Sequence, residues 1–416
     1  MQQQTRLAPL PGDERIQAMD VLRGFALLGI LLMNIEGFVG PLNGALTGLD
    51  PQWTGADRWA DGLIYILVQG KFYPLFSLLF GMGFAVMMVR ATSAGRPFVG
   101  VYFRRVLVLL VIGLAHALLV WSGDILTMYA LVAVPLLLFF RGTPPSHLPK
   151  WGISCYLLPI LLVVLFGMLG SAMQMQPEMA GEFNKVLAEQ ADVMAAMLES
   201  QRQAYGSGTY AEAVAQRGRD LAMMLGSLWI LGLQLLGLFL VGAWFVRSGA
   251  IARPAGFPRL YTGLRWVALP LGLAMTLLSF HLVPTVDMAR MDLASGVANS
   301  LFWLGGALMC LGYLAWIVRG MGSARAAPTL GVLAPAGRMA LTNYLSQSVV
   351  CTLVFYGYGL GHFEQLPRLW QIPFVLALFS LQVAFSHWWL SRFRFGPMEW
   401  LWRAATYLQL PAMRRE

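Results

Sequence analysis

About ten apolar runs, each close to the length of a bilayer-spanning helix, constrain this chain more than any other feature. A helix crosses the hydrocarbon core with about 20 apolar residues, and lipid leaves its backbone groups no partner outside the segment. The runs fall near residues 21–40, 63–89, 104–121, 125–140, 151–172, 222–246, 261–283, 297–318, 338–356 and 371–391. The expectation is an all-α, polytopic integral membrane bundle of about ten transmembrane helices, forming a single membrane domain over 1–416. Length alone suggests two or three soluble domains. Composition overrides that, because 58% of the residues are hydrophobic and only 12% are charged. Within the second run, Gly70-Lys71 and Pro74 predict a short entry helix followed by the main span.

Charge then orients the runs. The formal net charge is +9, which invites a nucleic-acid reading, but its distribution points to topology. With the N-terminus inside, arginine and lysine lie on the inner side about three times as often as on the outer, alternating from run to run, as the positive-inside rule requires. The expected location is a bacterial cytoplasmic membrane, with both chain ends cytoplasmic and no nucleic-acid partner. The first run lacks a small-residue cleavage site and reads as a span rather than a secretory signal. Cys155, Cys310 and Cys351 sit in apolar runs without paired spacing, so neither a disulfide framework nor a cysteine zinc site is expected. No His, Cys and carboxylate set has ligand spacing, so no metal is expected.

Three stretches lie outside the runs. Residues 1–18 are polar and read as loose. Residues 173–221 form an acidic, helix-prone excursion on the outer side, split at Gly206-Ser207-Gly208, with Thr209 and Glu212 as a capping box for its second helix. It is either a connector or a lid over an outward-facing site. Residues 396–416 begin with Gly396-Pro397 and mix aromatics with charge, which suits an interfacial helix on the cytoplasmic leaflet. Glycines 81, 83, 232, 237 and 242 read as helix-packing positions.

Ionisable groups inside spans are costly, about 2.5–3.5 kcal/mol at the bilayer centre on insertion scales. The few retained ones are therefore candidates for function. The foremost are His116 and Asp124, on either side of the turn Trp121-Ser122-Gly123-Asp124. An antiparallel hairpin brings them to one level, and a carboxylate there orients an imidazole for general-base work. Asp124 is equally suited to cap the following helix. Asp20 and Arg23, three apart, can pair at the inner boundary. Asn34 and Glu36 lie towards the outer end of the first span, where the carboxylate needs a partner. Lys71, at the helix break, is either a counter-charge for Glu36 or a ligand anion, or a snorkelling side chain. Asn343 and Gln347, four apart, face inward together, either as interhelical hydrogen bonds or as the lining of a polar cavity that opens outward.

The motifs RIQAMDVLRGFALLGILLMNI, FSLLFGMGF, HALLVWSGDILTMYA, GRMALTNYLSQS and FGPMEWLWR together resemble the YeiB-like family, the bacterial inner-membrane proteins of domain of unknown function 418. That family is grouped with the transmembrane acyltransferases. The resemblance covers nearly the whole chain. It implies transfer of an acyl group from acyl-CoA to a sugar or glycan-like acceptor outside the cytoplasm. No permanently bound cofactor is implied, and acyl-CoA is the donor. His116 would be the general base oriented by Asp124. Asn34 and Asn343 would position donor or acceptor, and Arg104 and Arg105 would attract the phosphates of acyl-CoA, although topology alone accounts for those two arginines as well. The chain departs from the acetyltransferase-type pattern, in which a histidine follows the asparagine of the first span. Here none precedes His116, so either His116 takes that role from another helix or the chemistry differs. Expected partners are the lipid bilayer, a small-molecule acyl donor and an unspecified acceptor, with a homodimer as an allowed assembly. The rival readings are a transporter or exporter of a small amphipathic or lipid-linked solute, and a non-catalytic scaffold.

Overall fold

The computed structural model describes residues 16–287 and 289–415. The loose segment expected over 1–18 therefore lies, up to residue 15, outside the described residues. The first helix, α1 (Gln17–Val39), is followed by α2 (Gly55–Leu67), α3 (Phe72–Ser93), α4 (Val99–Leu119), α5 (Leu126–Phe140) and α6 (Leu148–Gln174). Then come α7 (Pro177–Gly206), α8 (Tyr210–Gly226), α9 (Leu228–Arg247), α10 (Pro258–Gly263) and α11 (Leu269–Leu282), the last two joined by a π-helical turn. The chain closes with α12 (Leu293–Met321), α13 (Ala327–Gly331), α14 (Ala334–Arg338), α15 (Ala340–Phe355), α16 (Arg368–Arg392) and α17 (Pro397–Tyr407).

Among the described residues, eight helices are long and apolar enough to cross a membrane, the α2–α3 pair counting as one. The other two of the ten expected runs are the shorter apolar helices α5 and α15. The break expected at Gly70-Lys71 separates α2 from α3, and Gly70 takes a positive φ of 78° there. Only a residue without Cβ enters that region freely.

The helix α1 runs through the middle of the bundle. Its Val21, Leu22, Ala26, Leu27 and Leu31 are fully buried against α3, α12, α14, α15 and α16. A second core joins α3, α4, α5 and α9 around Phe84, Leu109, Met128, Ala133 and Phe239. There α3 and α9 touch backbone to backbone. A Cβ on Gly81 would stand 2.0 Å from the Phe239 carbonyl oxygen, and one on Gly242 would stand 2.0 Å from that of Leu78. Both are packing glycines, as expected. Gly83 is different: a Cβ there meets nothing within 4 Å.

The excursion after α6 folds as expected into two helices, broken at residues 207–209. The Glu212 amide donates to Thr209 Oγ1 at 3.3 Å, and the Thr209 amide donates to Glu212 Oε2 at 2.7 Å. The tail does more than lie on a surface. Helix α17 packs across the first turns of α4 and α15, and Trp402 Nε1 donates to the Arg105 carbonyl at 2.9 Å. Glu399 Oε1 accepts from the Leu341 and Thr342 amides at 2.7 and 3.0 Å, so it caps α15 from another helix. Burial pushes the Glu399 carboxyl above its usual range, and these donors pull it back.

Candidate functional site

The α4–α5 hairpin sets the centre of the site. The last turn of α4 widens into a π-type turn, with the Val120 and Trp121 amides both donating to the His116 carbonyl at 2.9 and 2.8 Å. This swings the chain into the turn that carries Asp124 back to the level of His116. His116 Nδ1 lies 2.8 Å from Asp124 Oδ1. The other oxygen, Oδ2, accepts from the Thr127 amide at 2.7 Å. Asp124 therefore both orients the imidazole and caps α5, with one oxygen for each task. A carboxylate only accepts, so Nδ1 is the donor of this bond, and in the neutral imidazole that leaves Nε2 as the acceptor nitrogen. Both side chains are buried, and Nε2 has no hydrogen-bond partner.

The turn is clamped from the α7–α8 side. Ser122 Oγ donates to Asp220 Oδ2 at 2.8 Å, and the Tyr205 hydroxyl donates to the same oxygen. Gln201 and Gln216 each donate to Asp220 Oδ1 at 2.9 Å. Arg217 is fully buried. It donates to the Leu119 carbonyl at 3.1 Å and to the Tyr358 hydroxyl at 2.6 Å, amid a cage of tyrosine rings. The sequence reads this excursion as a connector or a lid and singles out neither Asp220 nor Arg217. A signal was present, because Ala213, Gln216, Arg217, Asp220 and Leu221 form a buried stripe at helical spacing.

The structure regroups the other candidates. Glu36 pairs with Arg368, whose Nη2 is 2.9 Å from Oε2, and Arg368 Nε donates to Asp61 Oδ1 at 2.8 Å. Lys71 is not the counter-charge of Glu36, nor does it snorkel. It is fully buried, donates to the Tyr65 carbonyl at 2.9 Å and lies over the Phe302 ring. Asn34 is half-buried and takes no part in the hydrogen bonds that hold His116 and Asp124. Asn343 and Gln347 do face inward together, but towards α16 rather than a cavity. Asn343 Nδ2 donates to Ser386 Oγ at 3.0 Å and Gln347 Nε2 to Gln382 Oε1 at 2.9 Å, all buried in the contact between the two helices. Arg104 is held by the Thr406 carbonyl at 3.1 Å, whereas Arg105 stacks on Trp402, 3.6 Å from the ring centre. Asp20 and Arg23 pair at 2.8 Å.

A cavity of about 520 Å³ runs between α1, α3, α4, α5, α15 and α17. One end carries Arg90, Arg394 and Arg403, and Arg23, Arg105 and Arg338 line the wall beside the carboxylates of Asp20 and Glu399. The middle is apolar, walled by Leu79, Phe80, Gly83, Phe84 and Leu109, and the head is formed by Ile125, Leu126, Tyr129 and Tyr344. Measured along α1 from Ile16 to Ile30, the wall is about 20 Å deep. Arg105 belongs to this wall and Arg104 does not. The cavity thus lies on the arginine-rich side of His116, not on the α7–α8 side where an outward opening was expected. Helices α7 and α8 occupy that other approach. At the head, the Tyr344 ring centre stands 5.3 Å from that of His116. Among the described residues, no three His, Cys, Asp or Glu side chains gather as a metal would require.

A polytopic helical membrane protein, with a buried His–Asp pair above an arginine-mouthed cavity, is the class that fold and site define. Its sequence places it further. The family described as Protein of unknown function (DUF418) matches residues 245–409, a stretch that supplies Arg338, Tyr344, Arg394 and α17. Uncharacterized protein YxaH of Bacillus subtilis (strain 168) is 34% identical over 97% of this chain and 96% of its own length. Uncharacterized protein YeiB of Escherichia coli (strain K12) is 31% identical over 94% and 96%. The chain belongs to this YeiB-like, DUF418 family. No solved structure matches it.

Proposed function

We propose that the protein is a membrane-bound acyltransferase that takes acyl-CoA into the arginine-mouthed cavity and delivers its acyl group to an acceptor, sugar- or glycan-like, at His116. The observation that carries this reading is the make-up of the cavity wall, guanidinium groups and an apolar shaft, with the oriented imidazole just behind Tyr344 at its head. Arginine forks suit phosphate oxygens, and the shaft suits pantetheine and an acyl chain. At the head, Nε2 removes the proton of the acceptor hydroxyl as its oxygen bonds to the thioester carbonyl carbon. The C–S bond breaks, CoA leaves as thiolate, and the proton on Nε2 passes to sulfur. Asp124 stabilises the transient imidazolium. The arginine pattern supports a cavity mouth and both chain ends in the cytoplasm of a bacterial inner membrane.

Gly83 gives a clean test, because a side chain there projects into open shaft rather than packed core. Labelled acetyl-CoA should bind inverted vesicles, whose cytoplasmic face is outward, when they hold the wild-type protein. It should not bind when they hold Gly83→Trp at equal folded protein, nor should it bind right-side-out vesicles. Equal binding to the wild type and Gly83→Trp would remove the cavity from the reading, and binding only to right-side-out vesicles would reverse the orientation.

One observation favours a transporter as the second reading. Glu36 and Asp61 share a single guanidinium, Arg368, inside the bundle, and clustered ionisable groups inside a membrane bundle are a feature of ion and proton paths. Transfer of the acetyl group by the purified protein separates the two.

A further inference from the structure

We propose that Tyr344 is a gate between the shaft and His116, closed in this structure, and that an acyl group reaches Nε2 only when the tyrosine ring swings aside. The role of such a gate in catalysis rests on the acyltransferase reading. Its existence rests on the fold alone. Tyr344 forms part of the cavity head and His116 does not, although their ring centres are only 5.3 Å apart. The tyrosine ring is therefore the partition. Behind it, Nε2 is buried and without a partner, a condition rare enough in native structures to call for a functional explanation.

The partition is held loosely. The Tyr344 hydroxyl accepts from the Ile125 amide at 3.4 Å and donates to the Gly123 carbonyl at 3.5 Å, both at the weak limit of hydrogen-bond geometry. The groups it covers are held tightly, with Asp124 at 2.8 Å from His116 and 2.7 Å from the Thr127 amide. The backbone of α15 is also fixed, because Asn343 and Gln347 on either side of Tyr344 are tied to Ser386 and Gln382. Movement thus falls to the side chain itself, which borders the free volume of the shaft. A closed ring keeps water from the imidazole until donor occupies the shaft, which favours transfer over hydrolysis.

The test reads access to His116 without requiring any acyl transfer. Diethyl pyrocarbonate acylates an accessible imidazole nitrogen, releasing ethanol and carbon dioxide. Peptide mass spectrometry then compares His116 with the exposed His362 in the purified full chain. In wild type, His116 should react roughly tenfold or more slowly than His362, as a minor open state dictates. Tyr344→Ala should bring the two rates together, and Tyr344→Phe should behave like wild type, because the ring and not the hydroxyl is the barrier. Adding Gly83→Trp to Tyr344→Ala should restore slow reaction, since the route is the shaft. Unfolding caused by Tyr344→Ala would not be reversed in that way. The gate is overturned if Tyr344→Ala leaves the His116 rate unchanged, if Gly83→Trp fails to restore protection, or if Tyr344→Phe exposes His116 as fully as Ala does. An intact gate with no acyl transfer by the wild type would refute the reaction and leave the gate. Transfer without gating would do the reverse.

Discussion

Replacing Asp124 by Asn separates two tasks that its carboxylate oxygens hold apart. Asn caps a helix about as well as Asp, so the carbonyl oxygen of the substituted side chain, turned to the Thr127 amide, would keep α5 intact. Its NH₂ would then face Nδ1 and force the imidazole proton onto Nε2, where it blocks base function. Asp124→Asn should therefore leave thermal stability in detergent nearly unchanged and lower acyl transfer about 10²–10⁴-fold, the range a general base contributes. Asp124→Ala should lose the cap as well, at about 0.5–2 kcal/mol. Combining Asp124→Asn with His116→Ala should cost little beyond His116→Ala alone, because residues acting as one unit are not additive. Near-normal transfer by Asp124→Asn would reduce Asp124 to a cap and leave His116 without an orienting group.

Two neighbouring helices show how far side-chain patterning reaches at the scale of the element. The i,i+4 spacing of Asn343 and Gln347 correctly placed both on one inward face of α15. It could not say whether that face met water or another helix, because that depends on where α16 lies. The structure pairs them with Ser386 and Gln382, so Asn343→Leu should weaken the α15–α16 contact. Interhelical hydrogen bonds in membranes average about 0.6 kcal/mol, and a buried group left unpaired costs about 1–3 kcal/mol. The expected result is a lower melting temperature with transfer per folded molecule unchanged. Unchanged melting with lost transfer would return Asn343 to the site. The same limit explains the other differences. Runs, breaks and caps are local, so the break at Gly70, the hairpin at Asp124 and the box formed by Thr209 and Glu212 were legible from residues a few positions apart. The pairing of Glu36 with Arg368 and the approach of Tyr344 to His116 join residues hundreds of positions apart, and helix arrangement alone creates them. Asp220 and Arg217 fall between these cases: their stripe is visible at helical spacing, but what it packs against is set by the distant turn at Ser122 and by Tyr358.

At the scale of the whole molecule, the bundle divides the approach to His116 between two faces. Helices α7 and α8 cover one, tied to the turn by Asp220 and Arg217. The other opens into the shaft, with Tyr344 between shaft and imidazole and arginines at the far end. A donor and an acceptor arriving from opposite sides of a membrane would meet at this level, and the amide ladder and α17 keep the walls of the shaft in place around it. The most direct measurement is a density map of the full chain with a non-hydrolysable acyl-CoA analogue added. The account predicts phosphate density among Arg23, Arg105 and Arg403, pantetheine density past Gly83, and the acyl carbonyl within hydrogen-bond reach of His116 Nε2 with the Tyr344 ring displaced. Nucleotide density anywhere else, with the shaft empty and Tyr344 unmoved, would contradict it.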